Sequence, residues 1–144
     1  MAHRVFLLTV VLLLAACGPG RIEKPNNDLP TLLEIDYFDT GTKTINIRLY
    51  HRQADVRATS KLECQLRIND GDYQPLSPLQ VPELTAYARE RLQWIVADSH
   101  ILPSQDRIDY TLDCSLKSNK SRDEYFISRG TLYRLGNQEP PIYR

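Results

Sequence analysis

The sequence has little of what marks a catalyst or a nucleic-acid binder. Charge of neither sign is in excess: 18 Lys and Arg stand against 18 Asp and Glu. The basic stripe that a phosphate backbone requires is therefore missing. Histidine occurs only at His3, His51 and His100, the first ahead of the amino-terminal apolar segment and the others in polar stretches that read as surface loops. Asp98, Ser99 and His100 are consecutive, and adjacent side chains cannot form the hydrogen-bonded relay of a Ser–His–Asp triad. A nucleophile elbow, a His-Glu-x-x-His helix and a phosphate-cradling glycine loop are all absent. The three cysteines include no Cys-x-x-Cys pair, which argues against zinc and redox chemistry. No cofactor is expected, and the chain reads as a non-enzyme. Beyond residue 17 no apolar run approaches the roughly 20 residues that a membrane span needs.

What is there begins at the amino terminus. Residues 5–16 are apolar, follow Arg4 as the only fixed charge before them, and end in small residues ahead of Gly18-Pro19-Gly20. This layout is that of a secretory signal, too short to cross a bilayer. Its end, Leu14-Ala15-Ala16-Cys17, resembles the lipobox of bacterial lipoproteins. The resemblance implies that residues 1–16 are cleaved and that Cys17, now first, carries a thioether-linked diacylglycerol and an amide-linked acyl chain. One acyl chain binds membrane marginally, whereas two or more hold stably. The mature protein would be tethered to a membrane without crossing it. Gly18 stands where an Asp would signal inner-membrane retention, so the expected location is the outer membrane, facing the periplasm.

Acylation of Cys17 leaves Cys64 and Cys114, which an oxidising compartment would pair; two buried free thiols are the alternative. Closing a loop of about 50 residues would stabilise the fold by roughly 4 kcal/mol in the chain-entropy model. Residues 17–31 carry prolines at 19, 25 and 30 and read as a lipidated tether. The remaining length supports one domain, over residues 32–136, and an extended tail, 137–144.

Within the domain the hydrophobic period is two. Leu33, Ile35 and Tyr37 alternate with acids, and Ile45, Ile47 and Leu49 repeat the pattern after an Asp39-Thr40-Gly41 break. Residues 51–60 read as a polar loop. Leu62, Cys64, Leu66 and Ile68 form the next inward face, and Asp70-Gly71 predicts a hairpin with a short return strand before Pro75 and Pro78. Residues 82–90 are ambiguous: Pro82-Glu83 suits a helix start, so a short helix is expected there, followed by a strand over 91–98. A turn at 103–106 precedes the cleanest alternation in the chain, Ile108 to Leu116, and a last strand covers 124–135. Seven or so short strands with frequent turns predict an all-β, two-sheet antiparallel sandwich. Mid-strand Cys64 and Cys114 resemble the inter-sheet bridge of immunoglobulin-type domains, although Leu112 stands where a tyrosine corner would need Tyr. A helix covering one face of a single sheet is the alternative fold.

Candidate chemistry is sparse. Glu63 and Asp113 flank the cysteines on outward faces and read as solvated strand charges. Asn69-Asp70-Gly71-Asp72 offers oxygens to a hard cation but lacks the fuller ligand spacing of a calcium loop. Tyrosine is abundant, with eight residues. Tyr50, Tyr125, Tyr133 and Tyr143 are the candidate partner-binding rings, Tyr50 beside Tyr125 or Tyr133 as an exposed cluster and Tyr143 on a proline-stiffened tail. The expected function is that of a protein-binding accessory or scaffold of an envelope, secretion or pilus assembly. The alternatives are a glycan, peptidoglycan or small-ligand module, and a hydrolase inhibitor that would project loop 51–60 or 117–123.

Overall fold

Alternation converts into strands almost throughout. The computed structural model describes residues 30–96 and 105–144, so Cys17, the signal, most of the tether, Ser99 and His100 lie outside the described residues. Nine strands follow in order: β1 (Thr31–Asp39), β2 (Thr44–His51), β3 (Ser60–Ile68), β4 (Gln74–Pro75), β5 (Leu79–Val81), β6 (Arg89–Ile95), β7 (Arg107–Lys117), β8 (Glu124–Tyr133) and β9 (Ile142–Tyr143). They form two antiparallel sheets packed as an open sandwich. The first has the order β6-β2-β1-β9, and the second β4-β3-β7-β8 with β5 also on β3. The inner faces meet in one core that includes Leu33, Ile45, Ile47 and Leu49 from the first sheet and Leu62, Leu66, Leu112 and Leu116 from the second.

Three local irregularities explain where the alternation misleads. In β1 the register against β2 slips between Ile35 and Tyr37, leaving Asp36 as an extra residue. A bulge of this kind exchanges the faces beyond it, so Phe38 fills the core and Tyr37, expected inward, is exposed. Asp36 meets Arg48 across the pair, Oδ1 to Nη2 at 2.7 Å. At the edge of β3, β4 and β5 are two parts of one broken strand, offset by a one-residue register change. Pro75 and Pro78 fit there because an edge strand tolerates missing donors. The third irregularity lies in 82–90, where the expected helix does not form. Leu84 pairs with Arg57 as an isolated bridge, Tyr87 turns the chain at φ 55°, and Arg89 already begins β6. The apolar residues of 84–92 are spent on an edge crossing and a strand.

The disulfide between Cys64 and Cys114 is present, but it does not join the sheets. The two cysteines face each other in the β3–β7 ladder with Cα atoms 4.1 Å apart, so the bridge is a cross-strand staple within one sheet. The immunoglobulin-like pin expected from mid-strand placement fails because β3 and β7 are neighbours.

Other side chains join the layers. Trp94 of β6 donates its indole N–H to the Ser77 carbonyl at 2.9 Å, closing one side of the sandwich. On the other side Tyr110 of β7 crosses Gly130 and accepts the Ile35 N–H at 3.3 Å, while Ser128 donates to the Leu33 carbonyl. The segment expected as an extended tail completes this closure. Ile142 and Tyr143 pair with β1, and Arg144 exchanges backbone hydrogen bonds with Tyr133 at 2.8 and 2.9 Å. Tyr143 is fully buried and donates to the Gln105 carbonyl at 2.7 Å.

Candidate functional site

The polar segment 51–60 is not a free loop. His51 ends β2 with its ring buried, Nε2 lying 2.8 Å from the Asp55 carbonyl, so the surface histidine expected there is an interior one. Arg57 is buried too. Its guanidinium donates to Ser60 Oγ (3.1 Å), the Arg122 carbonyl (2.9 Å) and the Leu116 carbonyl (3.0 Å), and lies 3.5 Å from the Glu124 carboxylate. Glu124 also accepts from Thr31, the first residue of β1. Ala58 N donates to Ser121 Oγ at 2.9 Å. Both loops proposed as projecting plugs are therefore fastened to each other at one end of the sandwich. The same end receives the chain from its amino-terminal side, where the Arg52 N–H donates to the Pro30 carbonyl at 2.8 Å.

A concave surface lies at the opposite end, on the outer face of the second sheet. Cross-strand register builds it. Arg67 of β3, Thr111 of β7 and Arg129 of β8 form one row; Asp109 and Thr131 form the next; Arg107 stands opposite Tyr133. Short Thr111 between two long arginines leaves a hollow of about 960 Å³, open to solvent, whose rim includes Asn69, Asp70, Gln105 and Asp106. The Asp-Gly hairpin positions Asn69, at φ 51°, so that its side chain accepts from Asp109 N (3.0 Å) and donates to Gln105 (2.6 Å). The Asn69 oxygen of the conceivable calcium loop is thus already engaged. Tyr73 beyond the same hairpin lies under the Arg67 guanidinium, 5.0 Å from ring centroid to carbon, a cation–π contact. Arg67 Nε is buried without a hydrogen-bond partner.

Electrostatics on this face are balanced. Asp109 accepts Thr131 Oγ1 at 2.7 Å and faces Arg107 Nη2 at 3.1 Å. These contacts, the hydroxyl first, lower its carboxyl below the ordinary value. Glu63, nearer the other end, is likewise lowered by Lys61 at 2.5 Å and then by Lys117 at 3.6 Å, and it sits diagonally from Asp113 instead of forming a carboxylate pair with it. The hollow therefore offers planar donors, acceptors held ionised and a flanking ring, a set suited to recognising a polar surface. Among the described residues no histidine, cysteine or serine lines it. Among the described residues no group of three or more potential metal ligands converges.

The candidate tyrosines do not assemble. Tyr50 lies on the outer face of the first sheet, 5.5 Å from the Arg89 guanidinium carbon. Tyr125 and Tyr133 are exposed on the outer face of the second sheet, at opposite ends of β8. The Tyr50 cluster fails because the partners belong to different sheets, and Tyr143 is a core residue. Arg67, Thr111 and Arg129 escape a reading of the sequence because each is only an outward strand residue. Alternation predicts their faces, but only register aligns them.

Comparisons with known proteins add little. No family model matches the chain, and no curated protein matches it. Among solved structures it is similar to a crystal structure of a protein from Archaeoglobus fulgidus, at 8% identity over 70% of this chain and 94% of that one, with a TM-score of 0.38. A likeness at that score carries no argument about either fold or function.

Proposed function

We propose that the chain is a lipoprotein acylated on Cys17, held at the periplasmic face of the outer membrane, that works by binding as an accessory or scaffold of an envelope, secretion or pilus assembly. The observation that carries this reading is polarity. The chain enters the sandwich beside Arg52, at the end where Thr31 meets Glu124. The hollow sits five to seven residues further along β8, at Arg129 to Thr131, about 20 Å away at the rise of an extended strand. A leash at one end and a polar concave surface at the other present that surface away from the bilayer, and tethering raises its effective concentration for a membrane partner. The lipobox supplies the anchor, and the chemistry of the hollow suits recognition.

The test is photo-crosslinking in intact envelopes, with the probe placed at Tyr73 or Thr131 and, as control, at Lys61. A discrete adduct from the first two positions and none from Lys61 is expected. Equal, diffuse labelling from all three would refute the placement. Tyr73 beside Arg67 favours a second reading, a glycan or small polar ligand in the hollow. Calorimetric titration with peptidoglycan fragments separates it from the first.

A further inference from the structure

The outer face of the first sheet shows a charge pattern that the neutral sequence hides. β6 sends Arg89, Arg91, Gln93 and Ile95 outward, whereas its one acid, Glu90, pairs with Leu49 on the inner side. Arg91 stands directly opposite Arg48, and Arg89 opposite Tyr50. Like charges facing each other across a ladder are destabilising unless something anionic sits over them. Asp36 answers Arg48, and Glu34 of β1 stands directly opposite it. Arg91 has no ionic partner among the described residues, and Arg89 rests on the Tyr50 ring. Ile95, on the same face, is 77% exposed. The outer face of the second sheet also carries basic residues, but there Lys61 and Lys117 meet Glu63, Arg107 meets Asp109, and Arg67 stacks on Tyr73.

We infer that this arginine face, Arg48, Arg89 and Arg91 with Tyr50 and Ile95, rests on the anionic phospholipid headgroups of the membrane that the tether reaches. The inference rests on the proposed lipid anchor. Two observations select the occupant. Guanidinium groups interleaved with an exposed aliphatic and an aromatic ring match the composition of interfacial membrane contacts. The described chain begins at Pro30, whose carbonyl accepts from the Arg52 N–H next to the Tyr50–Arg89 row. The 13 residues from 18 to 30 span up to about 40 Å when extended, enough for the sandwich to lie on this face. Such an orientation turns the second sheet and its hollow outward.

The test is arginine footprinting. The full chain is recovered from membranes and placed in vesicles of neutral phosphatidylcholine or with about 30% phosphatidylglycerol. It is then labelled with phenylglyoxal and read by peptide mass spectrometry. Arg89 and Arg91 should label about five-fold more slowly on the anionic vesicles, the contribution of one basic residue near such a surface. Arg107, on the opposite face, should not change. Raising salt to about 0.5 M should remove the difference, and inorganic phosphate should not reproduce it. An acylated chain whose Arg91 and Arg107 respond alike overturns the docking and leaves the anchor standing, as does equal labelling of Arg89 and Arg91 on both vesicles. A chain whose mass shows no acylation overturns the anchor. Flotation of Arg89→Gln/Arg91→Gln against the parent then reads docking alone, with about 25-fold weaker anionic binding expected and unchanged binding refuting it.

Discussion

Gly130→Ala should destabilise the sandwich by about 2 kcal/mol, because a glycine in β8 is what lets the second sheet reach the first. Gly130 pairs with Tyr110, and an added Cβ would lie 2.5 Å from the Tyr110 hydroxyl and 2.7 Å from its ring. The ring is buried and its hydroxyl oxygen accepts the Ile35 N–H, so it has no free direction in which to move. Overpacking of this kind costs about 1–3 kcal/mol, and loss of the hydrogen bond about 1 more. Alanine recovers about 0.4–1 kcal/mol by restricting the unfolded chain. The net loss should lower the melting temperature by about 10 °C for a domain of this size. Denaturant unfolding of Gly130→Ala, Tyr110→Leu and the double variant checks the argument. In the Tyr110→Leu background the alanine should be neutral or stabilising, which gives a coupling of about 2–3 kcal/mol. If Gly130→Ala is as stable as the parent, or costs the same in both backgrounds, Tyr110 is not what requires the glycine.

The remaining predictions concern the staple, the buried arginine and pH. Replacing Cys64 and Cys114 with alanine should lower unfolding free energy by about 4 kcal/mol, and native Cys114, 1% exposed, should resist reduction until denaturant opens the sheet. Arg57→Ala leaves Glu124 without its buried partner and should cost about 3–5 kcal/mol, whereas Arg57→Met with Glu124→Gln should cost clearly less; equal losses would mean the ion pair is irrelevant. Tyr110 and Tyr143 both have phenol groups raised above the usual value of 10.0, burial being the main cause. A raised acid contributes stability fully below the unfolded value and loses it as pH climbs through the folded one. Stability should therefore fall from about pH 10 upward, and Tyr110→Phe should flatten that decline in pH-dependent melting curves.

Much of the fold was legible because period two survives wherever a strand has one buried face. Ile45, Ile47 and Leu49, and the run from Ile108 to Leu116, point inward as their alternation predicts. Alternation failed at Asp36, where one extra residue exchanged Tyr37 for Phe38. It failed again over 82–90, where apolar spacing compatible with a helix was used for a bridge and an edge strand. Local pattern carries no term for a bulge or for an edge partner. The hollow was illegible for a related reason: Arg67, Thr111 and Arg129 lie far apart in the chain and meet only through the β3–β7–β8 register.

The residues in order were sufficient for the class of fold, for which cysteines pair, and for the lipobox resemblance, since each depends on local pattern or parity. Tertiary structure alone decided that the disulfide lies within one sheet, that the closing segment with Tyr143 is interior, and that Arg91 faces Arg48 across the β2–β6 ladder. Those outcomes depend on which strands become neighbours. Neighbours are chosen by the packing of the whole core, which no single stretch of the chain encodes.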